Sequence, residues 1–71
     1  MTKPVVKKFG KRVRQLRLER GLTQEALGNK CDLDLTYIGR IERGEQNSSL
    51  IVIGAIAKGL GVSLEELFKG L

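Results

Sequence analysis

From Leu35 to Arg43 the chain reads LTYIGRIER, and on a helix turning about 100° per residue Leu35, Thr36, Gly39, Arg40 and Arg43 share one side. That side carries cations, a hydroxyl and, at its centre, a residue without a side chain, which suits a helix pressed into a groove. A guanidinium forks onto paired acceptors such as guanine O6 and N7, a hydroxyl meets a base edge or a thymine methyl, and a leucine makes apolar contact only. This is recognition chemistry rather than catalysis. The 71 residues include no histidine and a single cysteine, Cys31, while the eight carboxylates stand mostly beside bases or at helix starts. No enzyme, cofactor, metal site or small-molecule ligand is therefore expected. Solvated surfaces also carry Arg and Thr, so composition alone leaves a plain exposed face as the other reading.

The opposite side of the same segment holds Ile38 and Ile41, with Tyr37 at the edge, and needs a core to face. Asp34 is the expected cap, Leu33 against Ile38 a hydrophobic staple, and Gly44 the stop. Before it, the spacing predicts a helix from Gln24 to Lys30, capped by Thr23 and stapled by Leu22 and Leu27. Only Cys31 to Asp34 lie between the two, enough for a sharp corner. Cys31, on the apolar side, is expected to be a buried small hydrophobe.

Phe9, Val13 and Leu16 mark the buried stripe of a first helix, Lys7 to Arg20, stopped by Gly21; residues 1–6, with the single proline, are expected to form a loose arm. After Gly44 comes a polar connection, Glu45 to Ser49. Ser49 then caps a helix from Leu50 to Leu60 whose expected core side is Leu50, Ile53, Ile56, Ala57 and Leu60. Gly54 and Gly59 inside it imply close packing or tolerance. Ser63 with Glu66 forms a capping box for a last short helix, Leu64 to Lys69, with Val62 and Leu67 as staple and Phe68 folding back onto the core. The sum is one all-α domain over residues 7–71.

Charge is uneven: of the net +5, residues 1–22 carry +7 and the remainder −2. Such polarity points to a polyanionic partner. The longest uncharged apolar run, Leu50 to Ala57, is far short of the roughly 20 residues of a membrane span. With no signal peptide evident, a cytoplasmic protein with no membrane contact is expected. A core this small is marginal, and the surplus apolar residues Ile51, Val52, Leu64 and Leu71 are the expected surface of a homodimer.

FGKRVRQLR, Gly21-Leu22-Thr23-Gln24-Glu25, Gly28, Ile38, Ile41, Glu42, Gly44 and SLIVIGAIAKGLGVSLEELF together resemble the Cro/CI-type (XRE) helix-turn-helix family of DNA-binding proteins, over Phe9 to Phe68. Within it, TYIGRIERGEQNSSL is most similar to the controller proteins of restriction-modification systems. The corner position that is usually glycine in the family is Asp32 here, which tolerates the left-handed region at small cost. The resemblance implies a compact five-helix, lambda repressor-like bundle and a transcription regulator that binds double-stranded DNA, with RNA polymerase as a further partner. It also implies an Arg17–Glu42 ion pair fixing the first helix against the second motif helix.

On this footing Leu35, Thr36 and Arg40 are the expected base readers. The amides at Thr23, with Gln24, Tyr37 and Arg43, are expected on phosphates, joined by Gln46, Asn47 and Ser48 of the following loop, while Glu45 points away. A symmetric dimer on a palindromic site follows from the reach of one domain. Two rivals share the fold: a protein-interaction module without DNA binding, and an antitoxin-like regulator. RNA binding fits the charge but lacks an exposed aromatic cluster, since the aromatics are Phe9, Tyr37 and Phe68 alone.

Overall fold

A computed structural model describes residues 3–71 and contains five helices: α1 (Pro4–Glu19), α2 (Gln24–Cys31), α3 (Leu35–Glu42), α4 (Leu50–Leu60) and α5 (Leu64–Leu67). Each of the last four starts on a side-chain cap. Thr23, Asp34, Ser49 and Ser63 accept from the amides of Ala26, Thr36, Val52 and Glu66 respectively, each satisfying one orphan donor of a first turn.

The first helix begins earlier than the loose arm of residues 1–6 allows. Pro4 is its first helical residue, where a fixed φ and a missing N–H do no harm, so Pro4, Val5 and Val6 are helical and Lys3 is the cap residue. The rest of that arm, residues 1–2, lies outside the described residues. The ends elsewhere shift slightly. Cys31 is still helical, Arg43 is the cap after α3 rather than its last residue, and α5 stops at Leu67. At the corner, Asp32 adopts φ 58° and ψ 42°, the left-handed conformation expected where the family places glycine.

Phe9, Val13, Leu16, Leu27, Cys31, Ile38, Ile41, Ile56, Ala57, Leu60 and Leu67 form one buried core. Leu22, Leu33 and Val62, the residues just outside three helix starts, pack against it as staples do. Phe68 stacks on Phe9 with ring centroids 5.5 Å apart. Burial pushes the Cys31 thiol above its ordinary value, consistent with a packing role.

Leu50 does not join this core: it is 82% exposed, beside Ile51 at 86%. The helix turns Ile53, Ile56, Ala57 and Leu60 inward, which leaves its first turn apolar and open to solvent. The capping box is half formed, because the Glu66 carboxylate turns to Arg12 at 3.4 Å instead of reaching back to Ser63. Gly59 does mark close packing, since a Cβ there would come 2.5 Å from the Cys31 sulfur, whereas Gly54 faces open space.

α3 packs chiefly on α1 and α2, and α4 on α2. Two backbone approaches hold this geometry. At Gly28 an added Cβ would sit 2.5 Å from the Leu33 carbonyl oxygen, and at Gly10 it would collide with the carbonyl oxygen of Ile41. The first is the close corner of the helix-turn-helix; the second seats α1 against the last turn of α3.

Candidate nucleic-acid interface

Ile38 and Ile41 are fully buried, so the remaining arc of α3 is fixed as its outer face. Leu35, Thr36 and Arg40 are exposed there, and Asp34, Thr36, Tyr37 and Arg40 line a shallow cleft along it. Among the described residues Arg40 enters no ion pair, so its fork is open to an incoming acceptor. Tyr37 is half-buried at the edge of the core, while Asp34 is committed to the Thr36 amide at 3.0 Å.

Behind α3 lies a buried polar cluster. Arg17 Nε donates to Glu42 Oε2 at 2.6 Å and a terminal nitrogen to Oε1 at 3.0 Å, a two-pronged pair. The other terminal nitrogen donates to the Leu22 carbonyl at 2.8 Å, and Gln24 donates to Glu42 Oε1 at 3.1 Å. One cluster thus ties α1, the start of α2 and the end of α3 together. The hydrogen bond to Glu42, opposed by burial, pushes the Arg17 guanidinium further above its ordinary range.

Gln24 and Arg43, both expected on phosphates, are engaged within the protein. Gln24 is half-buried with its amide on Glu42, and of the first-turn amides of α2 that of Ala26 is taken by the Thr23 hydroxyl at 3.0 Å. Arg43 grips Glu45 through Nε at 3.1 Å and a terminal nitrogen at 3.2 Å, so Glu45 does not point away. That hydrogen bond, aided by the charges of Arg43 and Arg40, holds the Glu45 carboxyl below the usual carboxylate range. Gly39 is buried rather than facing a groove, because the Arg43 guanidinium lies across it, 3.0 Å from where a Cβ would stand.

In the loop after α3, Asn47 is exposed and Gln46 half-buried, but the Ser48 hydroxyl is buried, without a partner among the described residues, and is not presented at the surface. These three residues cover a mostly apolar recess completed by Val5, Val6, Phe9, Ile53 and Phe68. Residues that sequence reasoning missed are Gly10 and Arg12. Arg12 donates to the Glu66 carbonyl at 2.7 Å and pins α5 to α1; only the uneven spread of charge hinted at it. Among the described residues no group of His, Cys, Asp or Glu is placed to hold a metal ion, and no helix is long and apolar enough to cross a membrane.

A helix-turn-helix family model matches residues 13–67, which includes α2, α3 and the corner between them. The chain is 47% identical over 68 residues to the control protein C.BamHI of Bacillus amyloliquefaciens, covering 94% of this chain and 84% of that protein. It is 42% identical over 65 residues to the control protein C.MunI of a Mycoplasma species, covering 90% and 88%. The crystal structure of the restriction-modification controller protein C.AhdI from Aeromonas hydrophila superposes with a TM-score of 0.86 at 44% identity, over 89% of this chain and 96% of that one. The chain therefore belongs to the helix-turn-helix (XRE) family of DNA-binding transcription regulators and is similar to the restriction-modification controller proteins within it.

Proposed function

We propose that the protein binds a palindromic operator as a symmetric homodimer and acts as the controller of a restriction-modification system, working in the cytoplasm and in contact with RNA polymerase at its promoter. The observation that carries the reading is Arg40, exposed and, among the described residues, in no ion pair, on the face of α3 opposite two fully buried isoleucines. In the major groove its guanidinium forks onto guanine O6 and N7, with Thr36 on an adjacent base or thymine methyl and Leu35 in apolar contact. The α2 amides near Thr23, with Gln24, Tyr37, Arg43, Gln46 and Asn47, hold the flanking phosphates and set the register. Similarity to C.BamHI and C.MunI supports the controller assignment.

The longest dimension of one domain is 28 Å, less than the ~34 Å between successive major-groove faces. Two copies are needed to read two half-sites, and the exposed Leu50, Ile51, Leu64 and Leu71 are the apolar residues available to join them; Val52, expected with them, instead packs half-buried against the core. Sedimentation at micromolar concentration is expected to give a dimer, weakened by Ile51→Glu. A monomer both alone and on a full operator duplex overturns the dimer.

The DNA reading is tested by binding to duplexes selected from a random library. Arg40→Ala is expected to lose about 1–3 kcal/mol and to flatten preference at one base pair per half-site, while Gln24→Ala weakens all sequences alike. Unchanged base preference in Arg40→Ala removes it as the reader.

A further inference from the structure

α3 ends in a Schellman closure: Gly44, in the left-handed region, donates to the Ile41 carbonyl at 3.0 Å, and the Glu45 N–H reaches back to the Arg40 carbonyl at 2.8 Å. The same long return bond ends α1, α2 and α4, from Leu22 to Arg17, Leu33 to Gly28 and Val62 to Ala57. In those three the returning residue is apolar and packs on the core, which is the ordinary companion of the motif. At α3 it is a glutamate. The closure therefore carries a carboxylate back over the last turn of the recognition helix, beside its two cations.

Glu45 there grips Arg43 by two adjacent N–H groups, while Gly39 leaves room for the remaining guanidinium nitrogen against the helix. A carboxylate held this way offers the same paired oxygens as a phosphate. Both partners are more than half exposed, 57% and 54% of their side chains, so the pair opens at little cost. Asp34, the other acid flanking α3, is fixed as a cap at the far end.

The geometry points to Glu45 as an internal stand-in for a DNA phosphate at Arg43: every duplex must displace it, and the charge-driven part of binding is thereby held down. This rests on the DNA-binding reading above. It also makes Glu45 a residue that sets how strongly the protein dwells on DNA of any sequence.

The test compares wild type, Glu45→Gln, Arg43→Gln and the double variant, titrated against a selected operator duplex and a short duplex of arbitrary sequence over a range of salt. Glu45→Gln keeps the backbone closure, which uses only its amide. It is expected to bind both duplexes roughly threefold more tightly at low salt, with a salt slope steeper by up to about one unit. In the Arg43→Gln background the same change is expected to do nothing. No gain in the single variant overturns the proposal, and so does an equal gain with and without Arg43, which is simple repulsion between Glu45 and phosphate. A wild type that binds neither duplex overturns the DNA-binding reading itself; a wild type that binds while Glu45→Gln behaves identically overturns the stand-in alone.

Discussion

Glu42→Leu is expected to lose about 3–5 kcal/mol of folding stability, because it strands the buried Arg17 guanidinium with only the Leu22 carbonyl as partner. Arg17→Met is expected to lose a similar amount, leaving a carboxylate only 2% exposed with Gln24 as its remaining donor. In the double variant two apolar side chains replace two buried charges, so much of the loss should return; the pair's desolvation and attraction nearly offset each other. Melting of the three variants measures this as a double-mutant cycle. Small additive losses, under about 1 kcal/mol each, belong to a solvent-exposed pair and contradict the account. Since the cluster also fixes the end of α3, the single variants should lose operator affinity beyond what reduced folding explains.

Gly10→Ala is expected to destabilise by about 1–3 kcal/mol despite alanine's better helix propensity. An added Cβ collides with the Ile41 carbonyl oxygen and comes 2.9 Å from that of Glu42, both backbone atoms of α3 that no rotamer change can move aside. Relief requires α1 and α3 to separate. Gly54→Ala is the matched control: it lies within α4 facing open space, and the propensity term, about 1 kcal/mol, should appear there as a gain. Thermal unfolding of the two variants should shift in opposite directions. Equal shifts show that the α1–α3 approach is looser than described.

The architecture was legible because four of the five helix starts carry a side-chain cap and each core stripe a helical period. Thr23, Asp34, Ser49 and Ser63 announce four starts, and Ile38 with Ile41 fixes which way α3 faces. Pro4 misled because proline breaks helices everywhere except in the first turn, where it stands. Leu50 misled because core spacing says which face of a helix a residue shares but not how far along that face other elements reach, and here they leave Leu50 uncovered. Contacts between segments far apart in sequence were harder to see. Nothing in the neighbourhood of Gly10 says that Ile41 approaches it, and nothing around Arg12 names Glu66. The engagement of Arg43 with Glu45 has a local signature, a charged residue after a helix-ending glycine where its counterparts are apolar, but its meaning depends on knowing that the helix it closes is α3.

The central claim is that the outer face of α3 enters the major groove with Arg40 on a guanine. Methylation interference at guanine N7, an atom exposed only in that groove, tests it most directly. On a selected operator, methylation of one guanine in each half-site is expected to block the wild-type protein and to leave the residual binding of Arg40→Ala unaffected. Interference identical for the two proteins, or confined to adenine N3 in the minor groove, contradicts the assignment.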